Sequence, residues 1–217
     1  MTVLCFVMVC ASYASAQSVS IATPDPKRWD VTGSVGWLGG NKSEIAEEWN
    51  NWYDAFATSV DVGWYWTPHV KTEAGFTYTG EGDVYSQQQF LLPGRGTIFI
   101  PREHHFRLRG FTAAATWQLF ENTWVHPFLN AGVQVVEERE RTIAQGGVPF
   151  FDRNGTPFVL PRPETTQSTS TAVRPFVGGG AKFYVNERGF VRSDLTVAWD
   201  DGRVGHVTWR AGIGVDF

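Results

Sequence analysis

The residues of this 217-residue chain that could do chemistry are five histidines, two cysteines and a set of regularly spaced charges. His104-His105 invites a metal site. Adjacent residues on a strand point to opposite faces, however, so one ion would rarely take both; an exposed loop pair is the preferred reading, and no metal is expected. The acidic run Glu137-Glu138 with Glu140 is interleaved with Arg139 and Arg141. It could hold divalent cations, but the preferred reading is a solvated strand extension whose charges pair across strands. Cys5 and Cys10 both precede residue 17, in a segment expected to be removed, so the rest of the chain has no thiol for a disulfide, a metal or a nucleophile. The formal net charge of −4, with no basic patch, argues against nucleic acid as a partner.

The segment to be removed is residues 1–16. Val3 to Ala11 is a short apolar run, and Ala14 and Ala16 supply the small-x-small pattern of a signal-peptide cleavage site. Cleavage after Ala16 leaves 17–217 as one domain. The segment lacks the usual cation, since the first is Lys27, and a lipoprotein reading of Cys10 is disfavoured by Val9 where a small residue is expected. Beyond it no apolar run approaches the roughly 18 residues that a spanning helix needs.

What must position the charges is a set of strands. Ten Trp, sixteen Phe and twenty-three Gly in so short a chain favour a β protein with exposed aromatic surface. Eight segments alternate apolar and polar residues with period two, which sends successive side chains to opposite faces of a sheet. The apolar sets begin with Trp29, Val31, Val35 and Trp37, then Phe56 to Trp66, then Val70, Ala74, Phe76 and Tyr78. Phe111 to Leu119, Val125 to Val135, Val173 to Val185, Val191 to Trp199 and Val207 to Phe217 follow. Upstream of Gly110 the apolar phase moves to Phe106 and Leu108, which predicts a bulge at that glycine.

The apolar face is rich in Trp, Phe, Val and Ala, while the opposite face mixes charges with glycines. That division fits an all-β, eight-stranded antiparallel transmembrane β-barrel with lipid outside and a narrow polar interior; a soluble sandwich is the competing reading. An open sheet edge in hydrocarbon would leave backbone groups unpaired, so the wall must close. Short turns at Thr67-Pro68-His69, Glu121-Asn122-Thr123 and Asn186 to Gly189 alternate with long polar links at 38–52, 80–105 and 137–170 and a shorter one at 200–205. Such asymmetry puts both termini on the periplasmic side. Within the third link, Val148 to Leu160 around Asn154-Gly155 reads as a hairpin too short to cross, with ten strands as the alternative count.

Several stretches resemble the outer-membrane protein β-barrel domain family, the small OmpA/OmpX-type barrels. They are His126-Pro127-Phe128-Leu129-Asn130-Ala131-Gly132-Val133, Arg174-Pro175-Phe176-Val177-Gly178-Gly179-Gly180-Ala181-Lys182-Phe183, Phe190 to Leu195, and Val215-Asp216-Phe217. The resemblance implies an exported protein of the cell outer membrane, in contact with lipids and lipopolysaccharide. It also implies that Trp209, Ala211, Ile213, Val215 and Phe217 form the terminal signal read by the barrel-assembly machinery. No peptidoglycan-binding domain is implied.

If the polar face points inward, it carries Asp30, Asp61, Glu73, Asp194 and Asp216 together with Lys71, Arg174, Lys182, Arg192 and Arg210. In a lumen about one side chain wide these should pair and fill it. A structural plug is preferred to a small gated pore. No enzyme and no cofactor is expected. Some barrels of this type modify lipid A through a His-x-Ser on a late strand, but His206-Val207-Thr208 has Thr for Ser and faces the lumen. Trp29, Trp66, Trp117 and Phe217 near the turns, with Trp37, Tyr78 and Trp199 near the loops, read as interfacial girdles. Trp49, Trp52, Phe150, Phe151 and Phe158 offer loop contacts for adhesion or surface recognition, whose ligand the residues do not name.

Overall fold

Period-two alternation over ten to fourteen residues commits each segment to an extended strand with one face for lipid and one for the interior. In a computed structural model, the structure describes residues 28–43, 51–92, 96–120, 124–144, 149–151, 157–159 and 164–217. The strands are β1 (Trp29–Asn41), β2 (Trp52–Tyr65), β3 (Val70–Thr79), β4 (Gly82–Leu92), β5 (Gly96–Gln118), β6 (Val125–Ala144), β7 (Pro149–Phe151), β8 (Pro157–Val159), β9 (Glu164–Tyr184), β10 (Gly189–Asp200) and β11 (Arg203–Asp216). The signal segment, the turn at 121–123, Trp49 and the Asn154-Gly155 tip lie outside the described residues. The side chains of Phe150, Phe151 and Phe158 do too.

Eight strands make the wall, in the order β3, β2, β1, β11, β10, β9, β6, β5, and β5 pairs back onto β3. Every neighbour is antiparallel, and β1 meets β11 from Asp30↔Asp216 to Gly40↔His206. The termini complete the seam: Phe217 N donates to the Trp29 carbonyl at 2.9 Å and Trp29 N donates to the Phe217 carbonyl at 3.0 Å. β7 and β8 form a separate two-stranded sheet and take no part in the wall.

The wall is not of even height. β5 has 23 residues, β9 has 21 and β6 has 20, against 10 to 14 for β1, β2, β3, β10 and β11. About ten residues cross an outer-membrane-type bilayer, so half of each long strand stands clear of it. The spans 80–105 and 137–170, expected as polar links, are therefore largely strand. β4 continues the line of β3 and pairs with the far half of β5, from Gly82↔Phe106 to Leu92↔Gly96. The link expected at 200–205 shrinks to Asp201-Gly202, with φ of 46° and 78°. Two successive left-handed residues make a type I′ turn, for which Asp-Gly is well suited.

The bulge expected at Gly110 does not occur. β5 and β6 keep one register from Arg102↔Ala144 through Gly110↔Val136 to Gln118↔Phe128. Instead the polarity of the two faces inverts while the backbone phase is kept. Below Gly110 the outward side chains are Phe111, Ala113, Ala115 and Trp117; above it they are Arg109, Arg107 and His105, and Leu108 and Phe106 turn inward, sealed from solvent. The reason is the change of surroundings. Once the wall leaves hydrocarbon its outer face meets water, and the apolar set moves inside. The irregularity lies on the partner instead, where Thr79, Gly80 and Glu81 span the interval opposite Leu108 and Arg107 between β3 and β4.

Between the ends, Val31, Val35, Val60, Val62, Phe76, Leu129, Val133, Val177, Leu195 and Ile213 all face outward and are exposed. Trp29, Trp66, Trp117 and Phe217 ring the turn end, with Trp37, Phe56, Trp209 and Tyr78 at the other. Trp37 stacks on Trp209 at 6.1 Å across the β1–β11 seam. Trp199, assigned to this upper ring, is only half-exposed beside a register shift at Ala198/Trp199.

Val133→Arg, at the middle of the apolar belt, is expected to lower the unfolding free energy in lipid vesicles by about 2–4 kcal/mol. Thr171→Arg, outward on β9 opposite Glu137 and above the belt, is expected to change it by less than about 1 kcal/mol. Urea titration followed by tryptophan fluorescence measures both; equal costs would mean that the belt is not in lipid.

Candidate functional site

The inward face of the membrane-crossing segment is a chain of charges. β1 supplies Asp30, β2 Asp61, β3 Lys71 and Glu73, β9 Lys182, β10 Arg192 and Asp194, and β11 Arg210 and Asp216. All are buried. At the turn end Lys71 Nζ lies 2.6 Å from Asp30 Oδ2, and Lys182 Nζ pairs with the same oxygen. Tyr65 donates its hydroxyl to that oxygen at 3.1 Å, and Lys182 donates to the Tyr65 oxygen at 2.8 Å. Lys182 also lies 3.5 Å from Asp216 Oδ1, whose other oxygen accepts from the Tyr184 hydroxyl at 2.5 Å.

Glu73 carries the chain upward. Its Oε1 lies 2.6 Å from Lys71 Nζ and 2.5 Å from Arg192 Nη1, and Thr116 donates to its second oxygen. Arg192 Nε donates to Asp194 at 2.8 Å; Arg210 Nε donates to the other Asp194 oxygen at 2.9 Å, and Arg210 Nη1 reaches Asp61 at 3.2 Å. The sequence Asp216–Lys182–Asp30–Lys71–Glu73–Arg192–Asp194–Arg210–Asp61 is thus one unbroken network of nine residues drawn from six strands. Glycines make room for it. A Cβ at Gly63 would overlap Asp30 Oδ1, and one at Gly75 would overlap Asp61 Oδ1.

Arg174 does not join the nine. It donates to Asp200 at 2.7 Å and to Glu138 at 3.3 Å, and Glu138 is also paired with Lys42. Sequence reasoning missed Asp200, Lys42, Tyr65 and Tyr184, and it placed Glu138 in a solvated acidic run, whereas the residue is buried and faces inward. Tyr65 shares the phase of Asp61 and Gly63, and Glu138 that of Gln134, so strict alternation run further along β2 and β6 would have found both.

Above the network the lumen closes with grease. Leu38, Tyr53, Ala55, Ala57, Val84, Phe106, Leu108 and Val136 form one buried cluster, in which Tyr53 stacks on Phe106 at 5.1 Å. Between ions and grease a cavity of about 30 Å³ touches Asn130, Gln134, His206 and Thr208, room for a water molecule or two. Gln134 Nε2 lies 2.7 Å from His206 Nε2. Asn130 Oδ1 and His206 Nδ1 lack a protein partner among the described residues, and a water there could take both.

The five expected terminal-signal positions form one outward row, four on β11 and Phe217 directly after it. Ile213 and Phe217 are the most exposed, Trp209 and Val215 are exposed, and Ala211 is half-buried against the neighbouring strand. His104 and His105 are not a loop pair. Both lie in β5, His104 inward and buried and His105 outward with its Nδ1 2.6 Å from Asp83 Oδ1. Among the described residues no cluster of three or more His, Cys, Asp or Glu side chains is arranged to hold a metal ion.

No family model and no curated protein matches the chain. Solved structures do. Neisserial surface protein A, from Neisseria, superposes over 87% of this chain and 97% of its own at a TM-score of 0.52, with 15% identity. The N-terminal β-barrel domain of Pseudomonas aeruginosa OprF covers 88% and 98% at a TM-score of 0.47 and 13% identity. Ail, the attachment invasion locus protein of Yersinia pestis, covers 88% and 99% at 0.47 and 12%. At such identities the likeness to the Neisserial protein is one of fold. With its ring of eight antiparallel strands, apolar belt and charged interior, the chain has the architecture of the small outer-membrane β-barrels.

Proposed function

We propose that the protein is a structural barrel of the outer membrane whose lumen is a plug. The observation that carries this reading is the nine-residue ionic network, roofed by the apolar cluster around Phe106 and Leu108. An ion entering from either end meets charges already neutralised by neighbours, or side chains that offer it no ligand. In this reading residues 1–16 are the export signal and are cleaved, the termini are periplasmic, and the outward row from Trp209 to Phe217 is what the assembly machinery reads. The belt is in contact with membrane lipid, and lipopolysaccharide surrounds its outer rim.

A second reading is favoured by the uneven wall. β4, β5, β6 and β9 raise a broad sheet beyond the membrane, carrying the separate β7–β8 hairpin on the link between β6 and β9. Rigid sheets that project from a membrane are suited to hold recognition loops, so surface recognition or adhesion through this extension is the alternative role. A small passive channel is the third and needs the plug to move.

In planar bilayers the purified protein is expected to give no discrete conductance steps; steady single-channel events would favour the channel. Asp30→Ala removes the shared partner of Lys71, Lys182 and Tyr65. It is expected to cost about 3–5 kcal/mol, as when one member of a buried ion pair is deleted, measured as a lower urea midpoint of the detergent-folded barrel. A cost under about 1 kcal/mol would mean that water, not Asp30, holds the two lysines. Deleting residues 145–163 should abolish surface binding, with the heat-modifiable gel shift unchanged, if recognition is the role.

A further inference from the structure

In the extension, three neighbouring strands turn one polar side chain each to the inner face just above the apolar roof. They are Ser86 on β4, His104 on β5 and Glu140 on β6. Ser86 Oγ lies 2.8 Å from His104 Nε2, and His104 Nδ1 lies 2.9 Å from Glu140 Oε1. Thr142 Oγ1 lies 3.0 Å from the same His104 Nδ1 and donates its hydrogen to the same Glu140 oxygen at 2.9 Å. The contacts follow from register. Val84 pairs with His104 and Ser86 with Arg102, while His104 pairs with Thr142 and Phe106 with Glu140, so each contact is diagonal across one strand pair.

The chemistry of the groups fixes the direction of the protons. An ionised carboxylate can only accept, so His104 Nδ1 carries the hydrogen and Nε2 presents a lone pair to the Ser86 hydroxyl. That is the order nucleophile, base, orienting acid of the Ser-His-Asp/Glu hydrolases. The imidazole is held in place from below, stacked on Phe106 with planes 8° apart and centroids 6.3 Å apart. It is 5% exposed, Ser86 is half-buried, and the Glu140 side chain keeps 27% exposure. Arg102, directly across from Ser86, has a buried Nε without a hydrogen-bond partner among the described residues.

We propose that Ser86, His104 and Glu140 form a nucleophilic site for carboxylic esters on the extension, which is the outer side of the membrane on the proposed reading that the termini are periplasmic; the site is separate from the plugged lumen. Ser86 Oγ attacks the ester carbonyl as its proton passes to His104 Nε2. The bond from carbonyl carbon to the alcohol oxygen breaks, the alcohol leaves with that proton, and an acyl-Ser86 ester remains. Water then attacks the acyl carbon, gives a proton to Nε2, and the acid departs as Ser86 Oγ recovers the proton. Glu140 keeps its charge throughout and steadies the imidazolium; it positions His104 and does not take the proton. The apolar floor beneath is filled, so the acyl group accommodated is short.

The test uses the full detergent-folded protein, with every variant checked by its heat-modifiable gel shift. A fluorophosphonate probe is expected to label one site, located at Ser86 by peptide mass spectrometry, and p-nitrophenyl butyrate to be hydrolysed above the protein-free rate. Ser86→Ala should abolish both. His104→Gln should slow both by about 10²–10⁴-fold, the usual contribution of a positioned general base. Glu140→Gln should lower kcat per folded molecule, counted from the heat-modifiable band, and Glu140→Asp should restore part of it, a rescue per folded molecule that a loss of folding would not give. Folded wild-type protein without a phosphonate adduct at Ser86 overturns the proposal, as does His104→Gln labelled at the wild-type rate.

Discussion

A peptide group in hydrocarbon has no water to bond, and each one left unpaired costs several kcal/mol. The rest of this molecule follows from that constraint. The strands must close on themselves, which requires β1 at one end of the chain to find β11 at the other. Closing eight strands leaves an interior just wide enough for side chains. That interior cannot be apolar all the way without making the strands apolar on both faces, so charges occupy it and must satisfy one another. The nine-residue network is the outcome, and the glycines that face it supply the space its carboxylates take up.

Where the wall rises out of lipid the constraint lapses and the two faces exchange character. Below Gly110 the molecule is greasy outside and ionic inside; above it, β5 and β6 are charged outside and packed with Phe106, Leu108 and Val136 inside, as in a soluble sheet. The backbone takes no notice of the boundary, and one register runs through it. Ser86, His104 and Glu140 stand on that soluble-like side, next to water, while the buried charges of the span stay committed to each other.

Much of this was legible in the sequence because alternation is a strictly local signal. The eight wall segments and the inward phase of Asp30, Asp61, Lys71, Glu73, Lys182, Arg192, Asp194, Arg210 and Asp216 can all be read from neighbours two residues apart. Two things could not be read that way. The first was the switch at Gly110, mistaken for a bulge because the rule of apolar-outside was carried past the end of the membrane. The second was any grouping made by register between distant strands. Arg174 looks like one more lumen charge, yet β9 lifts it to Glu138 and Asp200; Ser86, His104 and Glu140 look unrelated until two strand pairings set them diagonally.

The seam between β1 and β11 has a further consequence for how the molecule reaches this state. Asp30 rides on β1, and the lysines it neutralises come from β3 and, across the interior, from β9. Until the first strand docks on the last, Lys182 faces an open trough without its main counter-ion, in a medium hostile to bare charge. Sealing the cylinder and quenching its interior therefore happen together, so half-zipped forms should be sparse during insertion and the finished barrel slow to come apart.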